Sequence, residues 1–288
     1  MYNAIRRNDI EWIDQQKFDI GTLVKNIDDV IGYNNLDMFN YFMTKIPRPN
    51  INLTKKFHYA CARGKLKIAQ RILEIDPNIT LNEQLKKDML ISIASGGYME
   101  VLKYMFDNND IGEYFSVMIR VASTWGRINI VKFLLEKDPS LSCKDAIVKA
   151  AINGRTNIVK YMIPFIKDEE DLNYNELFKK TAANYRYKTV KFLLTLPQVD
   201  PAFKNGEVLK SALYSLCIEN ENNRLIAKLL LKDIRIRKTI DYRPKGTNEL
   251  WDEIVNDIVN DTMVLSLLKK MFVDDIANLI MEYNGESC

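Results

Sequence analysis

His58 and Cys61 stand three residues apart in the stretch Lys55-Lys-Phe-His-Tyr-Ala-Cys61. On one helix that spacing puts an imidazole and a thiol on the same face, the arrangement of a general base beside a nucleophile. The chemistry has little else to draw on. His58 is the only histidine, so neither a second imidazole ligand nor a His-based metal cluster can be assembled around it. Cys61, Cys143, Cys217 and Cys288 lie far apart and form no Cys-x-x-Cys pair. No Gly-x-x-x-x-Gly-Lys-Ser/Thr and no Gly-x-Gly-x-x-Gly is present to cradle a phosphate. The acidic run Asp168 to Asp171 reads as a solvated loop tip. These residue types assign no catalytic residue, no metal site and no cofactor.

The densest basic stretch is Arg235, Arg237, Lys238, Arg243 and Lys245, with Ile234 and Ile236 between. Such an edge could meet phosphates, but it lacks the interleaved aromatic residues that stack on bases, so nucleic acid is the weaker partner reading. Composition agrees. The chain has 288 residues, 47% of them hydrophobic and 27% charged, and a formal charge of +3 from 41 basic and 38 acidic residues. That is enough apolar material to fold, and a charge too near balance to indicate a nucleic-acid or membrane partner. The scattered cysteines suit a reducing compartment. The charged N-terminus and the absence of any apolar run near 20 residues predict a cytoplasmic or nuclear protein with no membrane partner.

The elements that would position these residues repeat along the chain. Ala122-Ser-Thr-Trp-Gly-Arg-Ile-Asn-Ile-Val-Lys-Phe-Leu-Leu135 aligns without a gap on Ala150-Ala-Ile-Asn-Gly-Arg-Thr-Asn-Ile-Val-Lys-Tyr-Met-Ile163. The frame is a small pair, a two-residue spacer, a turn residue and an aliphatic helix carrying a lysine. Anchored on the turn residue, the copies fall at Asn8, Asn34, Gly64, Gly97, Gly126, Gly154, Tyr185 and Asn222. The steps run from 26 residues (Asn8 to Asn34) to 37 (Tyr185 to Asn222), centred near thirty. Two helical stretches per period of this size predict an all-α solenoid of seven or eight stacked helix-turn-helix units, each burying its apolar face only against its neighbours.

Each slot has a physical reading. The turn needs a residue that tolerates positive φ, which glycine supplies freely and asparagine at some cost. Tyr185 meets that demand poorly, so its turn is predicted to be distorted. Cys61, Ala94, Ser123, Ala151 and Ala182, three residues before their anchors, are small enough for close helix approach. Ile128, Ile130, Val131, Leu134 and Leu135 cover a wide apolar face, while the lysines at 103, 132, 160, 191 and 228 point to solvent.

The small pair, turn glycine, Val-Lys-Phe-Leu-Leu and loop together resemble the ankyrin repeat over residues 1 to 240, with degenerate units at about 1–50. Lys55-Lys-Phe-His-Tyr-Ala60 is similar to a degraded form of that family's Thr-Pro-Leu-His-x-Ala signature. Asp76-Pro-Asn, Asp138-Pro-Ser and Pro197-Gln-Val-Asp-Pro201 replace its usual finger loop. These Asp-Pro loops resemble the divergent ankyrin-repeat proteins of large DNA viruses of amoebae, and imply short inter-repeat loops. The resemblance also puts His58 in a structural slot where its imidazole bonds loop backbone, and Cys61 in the small-residue slot, so it implies no enzyme.

Its function by resemblance is protein binding through a concave groove. The spacer residues map there: Ala62 and Arg63, Ser95 and Gly96, Thr124 and Trp125, Ile152 and Asn153, Ala183 and Asn184. The expected partner-binding residues are Arg63, Ser95, Thr124, Trp125, Asn153 and Asn184. Trp125 is of the residue type most often found as an interface hot spot, though it could instead fold back over Gly126. Residues 241–288 are expected to form a helical C-terminal cap. Within them, 271–284 resemble the opening helix of an F-box. Ile276, Leu279, Ile280 and Tyr283 would then face subunits of a cullin-type ubiquitin ligase, although Val273 stands where that pattern has proline.

Overall fold

The computed structural model describes residues 1–166, 172–214, 221–233 and 235. Among them the secondary structure is helical, with no strand. The helices alternate in hairpins: α1 (Tyr2–Arg7) with α2 (Ile10–Gln15), α3 (Ile20–Gly32) with α4 (Leu36–Lys45), α5 (Leu53–Ala62) with α6 (Leu66–Ile75), and α7 (Glu83–Gly96) with α8 (Met99–Asn108). They continue as α9 (Phe115–Trp125) with α10 (Ile128–Lys137), α11 (Lys144–Ile152) with α12 (Thr156–Met162), α13 (Tyr174–Ala183) with α14 (Tyr187–Leu193), and α15 (Phe203–Tyr214) with α16 (Glu221–Lys232). The chain divides into two compact units, Met1–Ala146 and Ile147–Cys288. In the first, α5, α7 and α9 pack side by side, and α6 and α10 close back on α5 and α9. In the second, α13 packs on α14 and α15 on α16. The whole 241–288 segment lies outside the described residues.

The turns follow one geometry. Asn8, Asn34, Gly64, Gly97, Gly126, Gly154 and Tyr185 all have positive φ, between 58° and 83°. In each, the amide of the following residue donates across the turn to a carbonyl five residues back: Lys65 to Ala60 at 2.8 Å, Arg127 to Ala122 at 2.8 Å, Arg155 to Ala150 at 2.8 Å. This left-handed cap satisfies a carbonyl that the helix end would leave orphaned. Tyr185 corrects the sequence reading. Its φ is 59°, and Arg186 donates to Thr181 at 3.2 Å, so the turn is built like the others. A tyrosine is held there because the hairpins on either side set the path of the chain. Asn222 is the opposite correction: it lies in the first turn of α16 and anchors no turn, its 37-residue step having overrun the hairpin.

The small residues do what close packing requires. Cys61, Ala94, Ser123 and Ala151 are fully buried and Ala182 nearly so. Ile130, Val131, Leu134 and Leu135 are buried, and the lysines at 103, 132, 160 and 191 are exposed. Four of the first helices begin at side-chain caps: Asp19, Asn52, Asn82 and Asn173 each accept an amide from the first turn of α3, α5, α7 and α13. Two of the second helices end at Asp-Pro loops. Asp76 and Asp138 are both extended, as a residue before proline must be, and stop α6 and α10. The carboxylates of Asp76, Asp138 and Asp200 then accept the amides of Asn78, Ser140 and Ala202 at 3.2, 2.9 and 2.9 Å, closing a local turn that takes the place of an extended finger.

Candidate partner-binding site

Within each unit the ends of the first helices and their turns form one edge. In the first unit this edge carries Arg63, Ser95, Thr124 and Trp125. Arg63 caps α5, is exposed, and lays its guanidinium over the ring of Tyr59 at 5.2 Å. Trp125 is the last residue of α9 and is 56% exposed; it does not fold back into its own repeat. Between them, at the equivalent position, stands Gly96, and the Tyr98 ring fills the space a side chain would take there. The row therefore reads cation, aromatic, aromatic across three repeats.

The polar members bond to their own helix ends. Ser95 Oγ donates to the Ser92 carbonyl at 3.1 Å and Thr124 Oγ1 to the Arg120 carbonyl at 2.8 Å. In the second unit, Asn153 Nδ2 donates to Lys149 and Asn184 Nδ2 to Lys180, both at 2.8 Å. Each of these four side chains spends a donor on its own helix end. Arg63 and Trp125 carry the surface that a partner could meet.

A further set of residues escaped the sequence reading. At four of the turns the residue immediately after the anchor, Asn35, Tyr98, Arg127 or Arg186, reaches back to the preceding repeat. Asn35 Nδ2 donates to the Ile5 carbonyl at 3.3 Å, Arg127 Nε to Ser95 at 2.7 Å, and Arg186 Nε to Ile152 at 2.9 Å. The Tyr98 ring lies against Gly64, the Arg127 methylenes against Gly97 and those of Arg186 against Gly154; a Cβ on Gly97 would come within 2.9 Å of Arg127 Cδ, and one on Gly154 within 3.0 Å of Arg186 Cδ. Glycine at these anchors thus serves two needs, positive φ and room for the arm of the next repeat. The arginine that follows the anchor at both Arg127 and Arg186 was the signal.

The remaining candidates hold no reactive arrangement. Cys61 is fully buried and burial pushes its thiol up to about 12, so at neutral pH it is not a thiolate nucleophile. The bond to loop backbone implied for His58 is not made by its Nε2, which is buried with no hydrogen-bond partner. Among the described residues no cluster of three or more His, Cys, Asp or Glu could hold a metal ion, and no helix is long and apolar enough to cross a membrane. Arg235 is engaged internally: it pairs with Asp233 at 2.7 Å and donates to the Leu194 and Val199 carbonyls at 3.1 Å each. It therefore leaves the basic edge that could have met phosphates, whose other cations lie outside the described residues, as do Ile276, Leu279, Ile280 and Tyr283.

Residues 57–145, the third to fifth hairpins, match the family model described as ankyrin repeats, three copies. The chain is also 27% identical over 132 residues to an ankyrin repeat protein of Acanthamoeba polyphaga mimivirus, a stretch covering 43% of this chain and 45% of the relative. The matched part is thus a little under half the relative's length. Helical hairpins, left-handed turn anchors and buried small residues recur in the frame of those matched ankyrin repeats, and the chain is similar to a divergent ankyrin-repeat protein from a virus of amoebae.

Proposed function

We propose that this protein is a non-enzymatic scaffold that binds partner proteins, and that Trp125 is an anchor of the contact. The observation that carries this is a tryptophan 56% exposed at the end of α9, on a framework of helix ends tied to their neighbours by Arg127 and Tyr98. A large, rigid aromatic side chain on a fixed framework loses little entropy on binding, which is why such residues dominate interface energetics. The arrangement offers a surface in place of a reaction centre: the candidate thiol is protonated and buried. Ankyrin repeats in general serve as protein-interaction modules; in the first unit the contact is led by Trp125 and Arg63 with Ser95 and Thr124 beside them, and in the second unit Asn153 and Asn184 hold the corresponding positions.

Quantitative affinity capture from amoebal extract tests it, comparing the intact chain with Trp125→Ala after both are checked for folding by circular dichroism. Loss of about 2 kcal/mol at a hot spot predicts roughly thirtyfold weaker capture of the specific partner. Partners captured equally by both proteins would overturn the assignment of Trp125.

A second reading, substrate receptor for a cullin-type ubiquitin ligase, rests on the pattern Phe272-Val-Asp-Asp-Ile to Tyr283. The same capture addresses it through Leu279→Asp and Ile280→Asp: ligase subunits lost only from that variant support it, and their absence from the intact protein's partners removes it.

A further inference from the structure

The near-balance of charge over the whole chain conceals a division by edge in the first unit. The turns of the third to fifth hairpins occupy residues 63–67, 96–100 and 125–129. They carry Arg63, Lys65, Lys67 and Arg127 against the single carboxylate of Glu100. Arg63, Lys67 and Arg127 are exposed. The opposite ends of the same helices, with the loops that join them, carry Glu74, Glu83, Asp107, Asp110, Glu113 and Glu136, all exposed. Most cations near this edge are already held: Lys56 by Asp28 and Arg71 by Glu74, both at 2.8 Å, Lys86 by Tyr114, Glu113 and the Asp110 carbonyl, and Lys137 over the rings of Phe106 and Phe133, which leaves Lys55 and Lys87 exposed among a larger number of carboxylates. The two edges are separated by the length of helices such as α9, about 15 Å.

We propose that the turn edge of the third to fifth hairpins takes an acidic protein segment, its carboxylates meeting Arg63, Lys67 and Arg127 and an apolar side chain seated on Trp125 and Tyr98. This inference rests on the protein-binding reading above and supplies the partner's chemistry. Charge complementarity selects the occupant: an anionic segment is drawn to this edge and repelled by the other, which also fixes the side on which it lies. A nucleic acid fits less well. Adjacent repeats stand roughly 10 Å apart, too sparse a row of cations to match one phosphate per about 3.4 Å of strand, and the acidic edge of the same helices would repel a long polyanion. An acidic peptide in the polyproline II conformation, at about 3.1 Å per residue and three residues per turn, brings every third side chain to one face about 9 Å apart, so a carboxylate at each third position meets every repeat with an apolar group between.

Fluorescence anisotropy of the full chain with fluorescein-labelled twelve-residue peptides that repeat Asp-Leu-Ser, or Lys-Leu-Ser, and with a twelve-nucleotide oligothymidylate, tests this. The acidic peptide is expected to bind most tightly, and to weaken about tenfold between about 50 and about 300 mM salt. The double variant Arg63→Glu, Lys67→Glu is expected to weaken it by at least about tenfold at an unchanged melting temperature. Glutamate at 67 sits in the first turn of α6, where negative charge suits the helix. Should that variant fold poorly, the salt dependence and the peptide comparison on the intact protein decide. Equal binding of the two peptides, preference for the oligothymidylate, or indifference to the charge reversal would overturn the proposal. If Trp125-dependent capture from extract persists in any of those cases, the protein-binding reading stands and only the acidic partner falls; if capture fails while the acidic peptide still binds through Arg63 and Lys67, the reverse holds.

Discussion

The first turn and the middle turns solve the same problem with different parts. At Asn8 the anchor has a side chain, and the next repeat ties itself on with a short arm, Asn35 reaching the Ile5 carbonyl. At Gly64, Gly97 and Gly154 the anchor has none, and the arms are long: Tyr98, Arg127 and Arg186 lie across the glycine itself. All these turns adopt the left-handed conformation, so φ alone does not separate them. The difference teaches that a repeat's turn residue is chosen together with the residue that lies on it from the next repeat. Positive φ asks for glycine or asparagine; a long arm lying flat asks for glycine only.

Breaking that pairing should hurt most where the arm is a ring. Gly64→Asn keeps a residue type that turns elsewhere in this chain accept, yet its Cβ meets the Tyr98 ring. Urea unfolding is expected to show a loss of about 2–4 kcal/mol, from the φ penalty and overpacking together. Gly97→Ala meets the flexible methylenes of Arg127, which can move, and should cost about 1–2 kcal/mol, mainly the φ term. A Gly97 variant more damaging than the Gly64 variant would sink the comparison. Tyr185→Gly works in the other direction: removing the strain of a left-handed tyrosine, offset by glycine's entropy, should stabilise by about 0.5–1 kcal/mol, read as a rise in the urea midpoint. Smallest is Asn34→Gly, expected to stay within about 0.5 kcal/mol of the parent.

Acid sharpens the contrast in the second unit, where Arg235 holds the Leu194 and Val199 carbonyls from outside any turn. Its hydrogen bond to Asp233 lowers that carboxyl below the ordinary range. A carboxyl depressed in the folded state stabilises above its unfolded value near 3.9 and loses that contribution as pH falls through the lower, folded value. Hydrogen exchange at residues 194–199 should accelerate below about pH 4 in the parent, and be fast already at neutral pH in Asp233→Asn.

How much of this was written in the sequence follows from the same physics. The anchors were legible because left-handed backbone narrows the choice to a few residue types, and Gly64, Gly97, Gly126 and Gly154 announced themselves. The buried small residues were legible because close helix packing leaves room for little else. Tyr185 was misjudged because its conformation is imposed by the hairpins on either side, against its own preference. Asn222 misled because a repeat frame stretched to 37 residues no longer identifies a turn. The arms were missed since Tyr98, Arg127 and Arg186 share a position but no single chemistry; only stacking shows what they touch. The charge division was invisible to a whole-chain sum, for it appears only once alternate connections are known to fall on opposite edges.

The most direct test of the account is hydrogen exchange of the full chain with and without the partner captured through Trp125. Binding at the turn edge predicts slowed exchange in residues 61–66, 94–99 and 123–128, with residues 107–114 and 138–143 unchanged. Protection confined to the acidic loops, with the turn residues exchanging as before, would contradict it.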